Sequence, residues 1–369
     1  MDVVAGARPN FMKIAPIVRA LDAHAAAGGD LRYRIVHTGQ HYDARMSADF
    51  FTQLGIPEPH VNLEVGSGTA AEQTAGIMTR YEQLLMEDVP MLCLVVGDVT
   101  STMACTIVAR KLGVPVAHVE GGIRSGDWSM PEEINRVVTD SIANYFFTTS
   151  RTAGENLLRA GAMDDQIFFV GNTMIDTLLA NLERTQPPAF WSALGLSAGA
   201  YIVLTLHRPA NVDDPRKLEA LLQAVGAGAR GLPVVFPVHP RTQRTLRQLE
   251  GLPSNVKLVD AQPYLEFIHL VRYAKATITD SGGITEETTV LGVPCMTLRD
   301  STERPETVAM GTNELLGTDP SALGPALDRL FAGGWKRGAI PELWDGKTGE
   351  RIVAVLARVL VPGRDRVTV

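Results

Sequence analysis

The chain has 369 residues, 45% hydrophobic and 20% charged, an ordinary balance for a globular protein with room for two domains of common size. Its net charge of −7 and pI near 5.7 argue against nucleic acid or a membrane surface as partner, so an anionic ligand must be held by local arginines, lysines and helix ends. Cys93, Cys105 and Cys295 lie in apolar runs without CxxC spacing, which speaks for buried thiols and against a disulfide or metal site. No basic-then-apolar leader opens the sequence and no apolar run approaches the ~18 residues of a membrane span, so a cytoplasmic protein is expected.

Residues 2–5 read as a short apolar strand, followed by the turn Gly6-Ala7-Arg8-Pro9-Asn10 and an amphipathic helix over 11–27. Arg8 in that turn and Lys13 near the helix start oppose the helix dipole, a placement that makes sense if a ligand anion sits there. A second strand over 32–38 ends in Gly39-Gln40-His41-Tyr42-Asp43, and a helix follows over 71–86. The apolar strand 91–96 ends in Gly97-Asp98-Val99-Thr100-Ser101-Thr102; after a helix to about 112, the strand 114–119 delivers Glu120-Gly121-Gly122-Ile123-Arg124 to the same edge. Strands alternating with helices imply a parallel sheet, which binds ligands beyond the carboxyl ends of its strands, where Asp98 and Glu120 both lie. Pro131 then starts a helix with Glu132 in its first turn and Arg136 four residues on, by itself a stabilising ion pair worth ~0.3–0.5 kcal/mol.

A strand at 168–170, the turn Gly171-Asn172-Thr173 and a helix to about 182 precede a Pro/Gly/Ala-rich stretch over 186–200, which reads as the domain linker. A second strand–helix series begins with the strand 201–206, His207-Arg208-Pro209 at its end, and a helix over 215–229. The strand 233–238 carries His239-Pro240-Arg241 at its tip, and 256–259 and 264–267 follow. The strand 276–279 runs into Asp280-Ser281-Gly282-Gly283, a tight turn, with Thr285-Glu286-Glu287 starting a helix. Strand, glycine turn and helix N-terminus together make an anion site; Ser281 adds a hydroxyl, and Glu287 suits ribose hydroxyls. Without a ligand, the same stretch reads as a turn capped by Ser281. The strand 294–298 ends in Arg299-Asp300-Ser301-Thr302-Glu303-Arg304-Pro305-Glu306, and a helix over 349–359 follows.

Ten motifs in this order resemble the non-hydrolysing UDP-N-acetylglucosamine 2-epimerases nearly end to end: GARPNFMKIAP (6–16), TGQH (38–41), GDVTST (97–102), HVEGGIRSGD (118–127), PEEINR (131–136), GNT (171–173), HRP (207–209), PVHPRT (237–242), DSGGITEE (280–287) and RDSTERPE (299–306). The resemblance implies an α/β fold of two Rossmann-like domains with parallel sheets facing across a cleft, similar to the GT-B glycosyltransferases: residues 1–171 with the returning segment 349–369, and residues 172–348. It implies an isomerase that removes the proton at sugar C2, expels UDP from C1 to leave a 2-acetamidoglucal, then re-adds UDP and reprotonates C2 from the other face. UDP-GlcNAc to UDP-ManNAc is the default substrate pair. No oxidation is involved, neither half carries a G-x-G-x-x-G dinucleotide turn between a strand and a helix start, and no cofactor or metal is expected, whereas a homodimer is.

By matching motif, Asp98, Glu120 and Glu132 look like the acid/base carboxylates, with Arg136 and Arg124 as their modulators. His207 resembles the family histidine near the leaving phosphate, and Arg8 and Lys13 its cationic side. Ser281, Gly282 and Gly283 resemble the phosphate cradle and Glu287 the ribose clamp. Phe267 either flanks the uracil or is plain core, His239 is either gatekeeper or structural cap, and Arg299 and Glu303 shape the cleft floor. Two departures stand out. Gln40-His41-Tyr42-Asp43 lacks the basic residue with which many bacterial members bind a second, activating substrate molecule, so such activation is not expected. GDVTST and GARPNFMK sit closer to members acting on modified sugars such as UDP-2,3-diacetamido-2,3-dideoxy-glucuronic acid. The competing readings are a GT-B glycosyltransferase, which has no need of three acidic residues on the first sheet's edge, a catalytically silent UDP-sugar sensor, and a hydrolysing variant.

Overall fold

In a computed structural model, the described residues are 1–39, 51 and 53–360, the side chain of Arg8 excepted; the run 40–43 lies outside them. Met1–Ala180 with Glu342–Val369 form one compact unit and Asn181–Pro341 the other. Among the described residues no helix is long and apolar enough to cross a membrane.

The first unit carries β1 (Asp2–Ala5), β2 (Arg34–His37), β3 (Val61–Asn62), β4 (Cys93–Val96), β5 (Val116–Val119), β6 (Tyr145–Thr148) and β7 (Ile167–Phe169). They pair in the order β3-β2-β1-β4-β5-β6-β7, and every pairing is parallel. The second unit carries β8 (Ile202–Thr205), β9 (Val234–Pro237), β10 (Val256–Val259), β11 (Ala276–Thr279), β12 (Cys295–Thr297) and β13 (Asn313–Leu315). Their order is β10-β9-β8-β11-β12-β13, again all parallel. Each is a doubly wound α/β unit, so each has a point where strand order reverses, and the crevice outside the carboxyl ends there is where such sheets take ligands. In the first unit that point lies between β1 and β4, in the second between β8 and β11.

Parallel strands are covered on both faces, which is why these read as unbroken apolar runs. In β8 the period of two sends Ile202 and Leu204 into one core with Leu218, Leu221, Phe236 and Leu327, while Tyr201 and Val203 enter another with Val235, Leu270 and Val271. Phe190, Trp191 and Leu194 pack against this second cluster, and Leu196 is buried within it. The stretch 186–200 is therefore part of the second unit's packing and not a linker: its aromatic and leucine side chains outweigh the punctuating effect of its prolines and glycines.

The unit boundaries also differ from those expected at 171 and 349. The helix Thr173–Asn181 belongs with the first unit, where Ile175 and Leu178 are buried and the Thr177 hydroxyl donates to the Met12 carbonyl at 2.6 Å. The returning chain joins that unit before its last helix, because the buried Trp344 donates its indole N–H to the Thr149 carbonyl at 3.1 Å. That last helix, Thr348–Leu360, packs on the first helix, Arg8–Ala26. Asp176 anchors its start, accepting the Gly349 N–H at 2.8 Å. A Cβ on Gly349 would lie 2.4 Å from the Pro16 carbonyl oxygen, a contact backbone cannot yield cheaply. Gly349→Ala should cost about 2 kcal/mol of unfolding free energy, read as a lower urea midpoint; an unchanged midpoint would mean that the two helices slide apart freely.

Candidate functional site

The helix Arg8–Ala26 starts three residues earlier than its apolar pattern suggests, because the buried Asn10 organises its first turn. Asn10 Oδ1 accepts the N–H groups of Gly6 and Ala7, each at 3.0 Å, and its Nδ2 donates to the Val96 carbonyl at 3.0 Å. That last bond ties the helix to the carboxyl end of β4. One turn on, Lys13 reaches over Gly97 and donates to Glu120 Oε2 at 2.8 Å. Glu120 is buried and takes φ of 71°, a left-handed conformation that costs a non-glycine residue of order 1–3 kcal/mol and gathers at functional sites.

Asp98, at the end of the neighbouring strand, has a different partner. Its Oδ2 accepts from Arg136 Nη1 at 2.5 Å, and its carbonyl accepts from Asn135 at 2.8 Å. The buried Arg136 also donates through Nε at 3.0 Å and Nη2 at 2.7 Å to Glu133 Oε2. The structure thus replaces the expected Glu132–Arg136 pair by Glu133–Arg136: on the helix Pro131–Ile142 the position three residues back faces inward, and Glu132 stays exposed. Burial alone would raise the Glu133 carboxyl, but N–H donors from Ser125 and Gly126 and the Arg136 charge hold it below its ordinary value. Arg124 donates to Asp140 Oδ2 at 2.6 Å. Asp98 and Glu120 are thus brought to adjacent strand ends, each on its own cation, while Glu132 joins neither ion pair.

In the second unit, Asp280 is the organising group. It is completely buried and accepts the backbone N–H of His207 at 3.0 Å, that of Arg208 at 2.9 Å and Asn211 Nδ2 at 3.2 Å. It also lies 2.8 Å from His207 Nδ1, so the other imidazole nitrogen is left for a ligand. Burial would raise the Asp280 carboxyl, but the hydrogen bond and charge of His207 and the remaining donors hold it below its ordinary value. The two glycines after Ser281 are not a separate turn; they form the first turn of the helix Gly282–Leu291, whose leading N–H groups have no intrahelical partners. The Ser281 side chain does not cap that helix, since its hydroxyl accepts none of those N–H groups.

The glycines differ in what surrounds them. Space is open around a Cβ placed on Gly283, whereas one on Gly282 would lie 2.5 Å from Glu303 Oε1. Glu303 pairs with the buried Arg299 at 2.6 Å, and although burial would raise its carboxyl, the Arg299 hydrogen bond and charge hold it at about 2. Arg299 Nη1, also buried, has no hydrogen-bond partner and lies 3.7 Å from the Gly282 Cβ position, a guanidinium donor turned toward the helix start.

A pocket of about 190 Å³ opens here, lined by His207, His239, Phe267, Gln262, Ser281 and Ile284. Four of the expected residues therefore converge. Phe267 packs on the second core and lines the pocket as well. His239 is a structural cap through Nδ1, which accepts the Arg241 N–H at 3.2 Å. With Nδ1 an acceptor, its proton sits on Nε2, available as a donor; burial and the charges of His207 and Arg241 keep the ring from protonating as readily as a free histidine. Glu287 is buried, and the Tyr264 hydroxyl donates to its Oε1 at 3.2 Å. A cavity of about 520 Å³ lined by Arg110, Asn144 and Gln166 contains none of the expected residues. Among the described residues no three His, Cys, Asp or Glu side chains gather as a metal site.

Motif matching did not single out Asn10, Glu133, Asp140 or Asp280, although each lies inside or beside a motif. For Asp280 the available signal was an acidic residue just before the glycines. Comparison with known proteins fits this geometry. A family model described as UDP-N-acetylglucosamine 2-epimerase matches residues 23–357. A UDP-N-acetylglucosamine 2-epimerase of Methanocaldococcus jannaschii is 40% identical over 367 residues, covering 96% of this chain and 98% of that protein. The UDP-2,3-diacetamido-2,3-dideoxy-D-glucuronate 2-epimerase of Pseudomonas aeruginosa is 40% identical over 318 residues, 85% of this chain and 87% of its own. The crystal structure of the Methanocaldococcus jannaschii enzyme in complex with UDP-GlcNAc and UDP superposes with a TM-score of 0.86 at 39% identity, covering 97% and 99% of the two chains.

Burial pushes the Glu287 carboxyl up to about 8, against the opposing hydrogen bond from Tyr264 and with the Glu286 charge adding to it. The folded state holds this proton more tightly than the unfolded chain. Its stabilising contribution is therefore complete below the ordinary glutamate range and is lost as pH rises through 8. Stability of the ligand-free protein should accordingly fall relative to Glu287→Gln between pH 5 and 9, at up to ~1.4 kcal/mol per unit of separation; parallel pH–stability curves would show that Glu287 is ionised throughout.

Proposed function

The chain belongs to the UDP-N-acetylglucosamine 2-epimerase family, and on that premise we propose that it interconverts the C2 epimers of a UDP-sugar, UDP-GlcNAc and UDP-ManNAc first, by eliminating and re-adding UDP. The observation that carries this reading is the division of labour between two adjacent strand ends. Asp98 and Glu120 each lie against a separate cation, Arg136 and Lys13, and either carboxylate can serve as a base. One carboxylate takes the C2 proton while the C1–O bond breaks and the electron pair leaves with UDP. An acidic group on the opposite face, protonated from solvent, then gives its proton to C2 as UDP re-adds to C1, and the proton first taken passes to solvent, so the reaction consumes no oxidant and no second substrate.

Glu132 joins this set by its motif position, exposed in the ligand-free protein. Lys13, with Arg8, would meet the diphosphate once substrate competes for its ammonium. In the second unit, the helix start at Gly282 and Gly283, the His207 imidazole and Arg299 would bear the leaving diphosphate's charge, where oriented donors stabilise a transition state most. Phe267 would stack on the uracil and Glu287 would accept from the ribose hydroxyls.

A second reading, epimerisation of a sugar with a C3 acetamido and a C6 carboxyl group, draws on the equal identity to the Pseudomonas aeruginosa relative. Proton NMR of both UDP-sugars with the enzyme in D2O decides between them: the true substrate gains deuterium at C2 and acquires its epimer's anomeric signal, and a sugar that does neither is not a substrate. Asp98→Asn and Glu120→Gln should each slow this exchange by roughly 10²–10⁴-fold while UDP affinity stays within about threefold. Exchange at the wild-type rate in either variant would remove that residue from the chemistry.

A further inference from the structure

Between the two reactive turns lies a group that the reaction scheme does not use. His118, on β5, is completely buried; its Nδ1 is 2.7 Å from Asp140 Oδ1 and its Nε2 is 2.8 Å from the Gly97 carbonyl oxygen. A neutral imidazole has one donor and one acceptor, yet both nitrogens here face oxygen. A carbonyl can only accept. Asp140 cannot readily supply a proton either, because its Oδ2 already accepts the Gly122 N–H at 3.0 Å and the Arg124 guanidinium at 2.6 Å, contacts that favour the carboxylate. Donation at both ring nitrogens requires both protons.

We infer that His118 is held as a buried imidazolium and serves as a positioning residue, joining the turn that carries Asp98 to the turn that carries Glu120. This deepens the functional reading above and rests on its assignment of those two carboxylates. The link is short on each side. The Gly97 carbonyl immediately precedes Asp98, and Asp140, through Gly122, holds the turn two residues beyond Glu120. That turn needs holding: Glu120 and Gly122 both have positive φ, of 71° and 81°, and a Cβ on Gly122 would lie 2.1 Å from the Ala153 carbonyl. A left-handed glutamate persists only where its surroundings over-determine it. Without the His118–Asp140 bridge, Glu120 can relax to an ordinary backbone conformation and its carboxylate swings away from the position opposite Asp98. The Arg124 guanidinium and the imidazolium share the single Asp140 charge, so the cluster as a whole carries one positive charge beside the two reactive carboxylates.

The test pairs a direct reading of the ring with a kinetic one. In 15N-histidine spectra at pH 9, one of the eight histidines should retain two protonated ring nitrogens, and that signal should disappear in His118→Asn and move in Asp140→Asn. His118→Asn should slow C2 deuterium exchange at least a hundredfold at unchanged KM, with UDP affinity within about threefold. A purely structural role would weaken binding and thermal stability in step with turnover. Should His118→Asn fail to fold, Asp140→Asn carries the same test, with at least a tenfold loss in kcat alone. A neutral His118 ring at pH 9, or wild-type exchange in a folded variant, overturns the inference. Absence of exchange in the wild-type protein would instead overturn the functional reading, and the ring signals would still decide the charge of His118.

Discussion

A buried carboxylate that must be satisfied by N–H donors shapes each unit of this protein. Asp280 draws two consecutive backbone N–H groups, an asparagine amide and an imidazole onto one carboxyl group at the end of β11. Asp140 does the same beside β5 with an imidazole, a backbone N–H and a guanidinium. An unpaired charge at such depth would cost several kcal/mol, so the chain around each aspartate is committed to the conformation that supplies its donors. The candidate site residues inherit their geometry from these commitments. His207 is oriented by Asp280, and the Glu120 turn is oriented by Asp140 through Gly122.

The same constraint explains how an acidic protein can present a site for an anion. A net charge of −7 repels phosphate at long range, but salt screens surface charge over about 8–10 Å, and what decides binding is the local arrangement. In the second unit the pocket is lined by two histidines and a helix start, backed by Arg299 with one nitrogen still unpartnered. The nearby acids are already engaged: Glu303 with Arg299, Glu286 with Arg304, Glu287 with Tyr264. In the first unit the cations are spent in the opposite sense, Lys13 and Arg136 each paired with a carboxylate at a strand end. The two units thus carry opposite charge patterns on a common strand topology.

The elements that could be read in advance are those whose cause is local. The strand β4 is a continuous apolar run and β11 a β-branched one, and the glycines that follow them announce strand ends with only a few residues of context. What escaped was anything settled by a partner far along the chain. His118 meets Asp140 22 residues away, His207 meets Asp280 73 away, and Asn10 bonds the Val96 carbonyl 86 away. The region 186–200 looked like a linker because proline and glycine dominate its local statistics; its packing depends on Leu270 and Val271, which no short window contains.

From the amino-acid order alone came the alternation of strands and helices, the glycines that mark the strand ends, and, through ten ordered motifs, the family. Each depends on neighbours within a few residues, where backbone preference and side-chain period act directly. Only the folded chain decided which glutamate pairs with Arg136, that Ser281 does not cap its helix, that Gly283 and not Gly282 has open space, and that His118 stands between the turns that carry Asp98 and Glu120. Burial, register and the count of donors around an acceptor decide those questions, and they come into being only when distant segments close on one another and exclude water.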